Sequence, residues 1–172
     1  MSTARGESVL AAAQDDTSKQ WLVLTTYRVV VLDDGGAVGL ERPWHEVATG
    51  AWDPDSSTLS LSWVGSDRAV QWVLRRLTGP GRIPQVFRER VSASVVQVRE
   101  VSVGTRRSAR ISVRSILHSR ELIDQVVLGR GSSTTDSELA DEVARVRGDV
   151  RASVGLPPVA HDHRQAYGAG DS

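Results

Sequence analysis

Residues 21–32 read W-L-V-L-T-T-Y-R-V-V-V-L. Two short runs of β-branched, aromatic and leucine residues meet at Thr25-Thr26, and Arg28 sits inside the second. Residues of these types suit the pleated, half-buried surface of a strand. The stretch is therefore expected to be the central hairpin of a small β-rich domain. Neither run alternates cleanly between polar and apolar, which suits strands covered on both faces over much of their length. Asp33-Asp34-Gly35-Gly36 closes the segment, because Asp-Gly and Gly-Gly adopt the left-handed turns of hairpins. A charge on such a strand needs an exposed edge or a partner, so Arg28 is read as structural.

Working outward, residues 7–14 are expected to form a first strand, and Asp15-Asp16-Thr17-Ser18 a turn. Residues 38–42 form a short strand ended by Pro43-Trp44, since proline lacks the amide a ladder needs. Residues 47–52 follow, then the turn Asp53-Pro54-Asp55-Ser56-Ser57. Residues 58–64 and 69–74 alternate well, with Leu59, Leu61 and Trp63 facing Val70, Trp72 and Leu74, and make the clearest hairpin. Thr78-Gly79-Pro80-Gly81 breaks the pattern. A helix begins near Ile83-Pro84, with Ile83, Phe87, Val91 and Val95 on one stripe. Three more strands are expected over 96–103, 109–117 and 121–128, with a bulge near Arg99-Glu100. In the second of these, Ile111 and Val113 alternate with Arg110, Ser112 and Arg114, so one side is cationic. Thr135-x-x-Glu138 fits a capping box. Leu139, Val143, Val146, Val150 and Val154 then form one apolar seam, ended by Gly155 and Pro157-Pro158. Residues 157–172 lack periodicity and are expected to be a disordered tail.

The chain has 172 residues, 40% of them apolar, and no cysteine. That excludes disulfides and thiolate metal sites and fits a reducing cytoplasm. The first residues lack the apolar core of a signal peptide, and no run of about 18 apolar residues occurs. A cytoplasmic location is expected. Formal net charge is zero but unevenly spread. Residues 1–74 carry five basic and ten acidic side chains, residues 75–130 twelve and four, and residues 131–172 four and seven. Lys19 is the sole lysine. The basic middle could attract phosphate or anionic lipid, or be an ordinary solvated face. Its candidate contacts for an anion or partner are Arg75, Arg76, Arg106, Arg107, Arg110 and Arg114.

His45, His118, His161 and His163 fall in no H-E-x-x-H spacing, and no nucleophile elbow, P-loop or dinucleotide fingerprint occurs. His161-Asp162-His163 could catch a metal only weakly. Asp53 and Asp55 read as turn carboxylates. Residues 129–135, before a helix start, could hold an anion, although Thr135 would supply the cap. All five tryptophans lie in the first half and read as core or rim packing. Trp72, with Arg75 and Arg76 nearby, is the best candidate for a base-stacking platform. No catalytic, metal or cofactor residue is assigned, and no cofactor is expected.

Leu24-Thr25-Thr26-Tyr27-Arg28, an L-T-x-x-R step between apolar runs, resembles the second hairpin of bacterial pleckstrin-homology-like (PH-like) and GRAM domains. Pro43-Trp44-His45-Glu46-Val47 is similar to the segment entering their fifth strand. The whole chain resembles an uncharacterised actinobacterial family carrying this P-W-x-x-V segment and the R-E-R-V-x-A-S-V-V helix of residues 88–96. The resemblance implies an α+β fold. Residues 1–96 would form a PH-like antiparallel β-barrel or sandwich capped by a helix. Residues 97–156 would add a three-stranded antiparallel extension and a C-terminal helix packed on the first part. Phosphoinositide-binding members line the first loop with basic residues; here Asp15 to Lys19 is acidic, and no lipid-contacting residue is carried over. The resemblance implies a non-enzymatic binding or scaffolding module that contacts a protein partner through a sheet edge or groove. The alternative is electrostatic binding of an anionic membrane surface or, less favoured, nucleic acid through residues 75–130. A small hydrolase is the third reading.

Overall fold

The computed structural model describes residues 4–66 and 68–159. The expected tail beyond residue 159, with His161 and His163, lies outside the described residues. The chain is α+β, with three antiparallel sheets and two helices. Strands β1 (Val9–Gln14), β2 (Trp21–Thr25), β3 (Arg28–Leu32) and β4 (Val38–Pro43) form a meander in that order. A single 3-10 turn, Trp44–Glu46, leads to a second meander of β5 (Val47–Asp53), β6 (Thr58–Trp63) and β7 (Ala69–Val73). Helix α1 (Ile83–Ser94) runs directly into β8 (Val95–Val103). With β9 (Arg107–Ser115) and β10 (Leu122–Leu128) this strand makes the third sheet, ordered β10-β9-β8. Helix α2 (Ser137–Ser153) follows. Among the described residues no sheet closes into a barrel.

The opening stretch is the β2–β3 hairpin, paired Trp21 to Leu32 and Leu24 to Val29. Leu22, Leu24, Val29 and Val31 belong to one core, while Val23 and Val30 are buried outside it. Both faces are covered, as the lack of alternation required. The first core joins the two meanders and α1: Trp44, Leu59, Leu61, Trp72, Ile83 and Phe87 meet there. The second lies between the third sheet and α2, around Val101, Ala109, Ile111, Val113, Leu139 and Val150.

Three local expectations need correction. The register shift in β8 lies between Val95 and Gln97, not near Arg99-Glu100. It sits where the chain leaves α1 and must adjust from helical to extended backbone. The cap of α2 is Asp136, not Thr135. The Asp136 carboxylate accepts from the Leu139 amide at 3.1 Å, and Glu138 pairs with Arg107 instead of reaching back. Aspartate is at least as good a cap as threonine, and its partner Arg107 decides the frame. Trp72 is 2% exposed and belongs to the core, so it offers no ring for stacking.

The acidic first loop has a structural task. Asp15, itself buried, accepts from the amides of Ser18 and Val73, both at 2.7 Å. Asp16 accepts from the amides of Arg75, Arg76 and Leu77. The two carboxylates fasten the end of β7 and the chain beyond it to the β1–β2 loop.

Candidate functional site

The alternation in β9 sends its apolar residues into the second core and turns Arg110, Ser112 and Arg114 the other way, toward β5. Arg114 donates through one terminal nitrogen to the carbonyls of Trp44 and Val47, at 3.0 and 3.2 Å. Arg110 donates to the Ala48 carbonyl at 2.6 Å. On β10, the Gln125 amide donates to the His45 carbonyl at 2.9 Å. The third sheet is thus latched by side chains onto main-chain oxygens of residues 44–48.

A cleft of about 390 Å³ lies at this junction. One wall is β5 from Val47 to Gly50; another is the open face of the third sheet, with Val98, Glu100, Arg110, Arg114 and Gln125; Phe87 and Val91 of α1 contribute apolar surface. Gly50 is required for this shape, since a Cβ there would overlap the Phe87 ring. A smaller hollow of about 250 Å³ continues it past Thr49, Glu100, Arg110 and Val127 to Gly129.

The cleft's electrostatics are unbalanced. Arg114 is 6% exposed, and its buried Nε has no hydrogen-bond partner. Among the described residues neither Arg110 nor Arg114 takes part in an ion pair. Burial, reinforced by the charge of Arg110, pulls the Arg114 guanidinium down to about 10. Glu100 stands opposite Arg110 in the β8–β9 register, is exposed, and forms no salt bridge among the described residues. His45 is pushed below its ordinary value by burial, opposed by Glu46 and reinforced by the charges of Arg114 and His118.

The six arginines singled out in the sequence fall into separate places. Arg110 and Arg114 share the cleft. Arg107 is committed to Asp136 and Glu138, both at 3.0 Å, at the start of α2. Arg106 is exposed in the β8–β9 turn beside it. Arg75 and Arg76 are exposed after β7, beside the Asp16 loop. The alternation of β9 flagged the cationic face. Its opposite wall, carbonyls of residues 44–48, carries no side-chain signature and could not be read from the sequence. Among the described residues no group of three or more His, Cys, Asp or Glu could hold a metal ion. No helix among them is long and apolar enough to cross a membrane.

Neither a protein-family model nor a curated protein matches the chain.

Proposed function

We propose that this chain is a non-enzymatic binding module whose cleft between β5 and the third sheet receives a protein partner. The carrying observation is the pair Arg110 and Arg114: two guanidinium groups, one of them buried, brought into an open cleft with no carboxylate bonded to either. A buried cation without a counter-charge is costly, and a binding partner that supplies one offsets that cost. A PH-like architecture for residues 1–96 belongs to this reading. Its support is seven antiparallel strands in sheets of four and three, one shared core, and a helix over that core.

The experiment is site-directed photo-crosslinking in the native cell. A photoreactive residue replaces Val98 in the cleft or, as control, the exposed Val38 of β4. A discrete polypeptide crosslinked from position 98 and not from 38 is expected. Identical products from both positions, or none from 98, would overturn the reading.

The second reading, electrostatic binding to an anionic membrane, is favoured by the exposure of Arg75, Arg76 and Arg106, none of which enters an ion pair among the described residues. It predicts sedimentation with phosphatidylserine vesicles at low salt, lost in Arg75→Glu/Arg76→Glu. Absence of binding at low salt removes it.

A further inference from the structure

The cleft's chemistry narrows what it takes. The Arg114 guanidinium uses one terminal nitrogen for two carbonyls, while its Nε is buried without a hydrogen-bond partner. A buried cation without a counter-charge is unfavourable, so a carboxylate bound beside this guanidinium would offset that cost. Arg110 lies beside it with one terminal nitrogen on Ala48. Guanidinium forks match the planar oxygens of a carboxylate. Phe87, Val91, Val95 and Val98 present apolar surface next to these donors.

We propose that the cleft binds a single carboxylate side chain carried on an extended, apolar protein segment, with the guanidinium groups of Arg114 and Arg110 as its counter-charge. This rests on the reading of the cleft as the partner site. Two features favour an extended protein segment over a polyanion or a lipid. β5 is the outer strand of its sheet and is exposed at Thr49, Gly50 and Ala51, so an extended chain can lie along a strand edge there. Glu100 at the rim repels a second negative charge, which disfavours a run of phosphates.

The test is nuclear magnetic resonance titration of the full chain, reading backbone amides and the arginine Nε–H signals. The probes are a blocked hexapeptide of leucine and serine with one central glutamate, the same peptide with glutamine for glutamate, and phosphatidylglycerol vesicles. Expected are shifts of the Arg110 and Arg114 Nε–H signals and of Thr49, Gly50 and Val98 with the glutamate peptide, and binding about tenfold weaker with the glutamine peptide. Arg110→Gln should abolish that preference. It is the more informative variant, because Arg110 gives the latch one bond, to Ala48, whereas Arg114→Gln disturbs two, on Trp44 and Val47; Arg114→Lys keeps the charge and should weaken binding by losing the fork. Equal binding of both peptides in the cleft would overturn carboxylate recognition while leaving the cleft as partner site. No peptide-induced shift at cleft residues would overturn both. Vesicle binding through the cleft without peptide binding would overturn the protein partner in favour of lipid.

Discussion

Glu7 has a side chain with 0% exposure, and Arg28 reaches it through Nε at 2.8 Å and a terminal nitrogen at 2.7 Å. Burial alone would raise the Glu7 carboxyl; bonds from Arg28 and the Thr25 hydroxyl outweigh it and hold the group below its usual range. Arg28 also pairs with Glu41 on β4. Arg28→Met should therefore lower stability by about 3 kcal/mol in urea unfolding, because it strands a buried carboxylate; no measurable change would show that Glu7 reaches water. That Arg28 needed a partner was legible from its place among valines. Which partner was not, since Glu7 is 21 residues distant and the pairing of its segment with the hairpin is not written in the apolar pattern. Gly50→Ala should cost about 1–3 kcal/mol by overpacking, since the new methyl group overlaps Phe87 and stands 2.8 Å from Leu61 Cδ2. His45 gives the pH dependence. Its value in the fold lies below the ordinary 6.5, so the unfolded chain binds the proton more readily. Stability should fall as pH drops through about 6.5, and His45→Asn should flatten that slope in thermal melts from about pH 7 to 5.

Elements are held at their ends by charges from distant parts of the chain. The Asp16 carboxylate gathers three successive amides, of Arg75, Arg76 and Leu77. Asp16→Ala should speed hydrogen exchange at those three amides while leaving the β2–β3 ladder protected; unchanged exchange would mean the loop is held otherwise. At α2, Arg107 fixes Asp136 from 29 residues away. At its other face, Asp124 of β10 pairs with both Arg147 and Arg151 of that helix. The periodicity of strands and helices was legible because each element's burial is a local pattern. Seven strands, a helix, three strands and a second helix were expected and are present. The frame of the α2 cap was not, since Thr135 and Asp136 are both competent and the choice rests on a remote arginine. The β8 bulge was misplaced for a similar reason: the strand follows α1 without a loop, which the apolar pattern does not reveal.

On the scale of the whole molecule, two cores meet across a polar seam. Leu117, from the β9–β10 turn, packs on the first core, and the latches from Arg110, Arg114 and Gln125 bind main-chain oxygens of residues 44–48. Since the first core is assembled within residues 11–87, a fragment of residues 1–94 should fold cooperatively, with a lower melting temperature than the full chain. Near-ultraviolet circular dichroism of its buried tryptophans would report this; a featureless spectrum would mean the third sheet is needed for folding. Such cross-chain seams leave only half their signal in sequence, the cationic half on β9. The seam's charge also has a regulatory consequence. Arginine stays protonated at neutral pH and is no substrate for lysine acylation. The chain's sole lysine, Lys19, is placed elsewhere, its Nζ donating to the Asp16 carbonyl. Enzymes that tune proteins by capping amines would therefore leave the positive charge of Arg110 and Arg114 in the cleft unaltered.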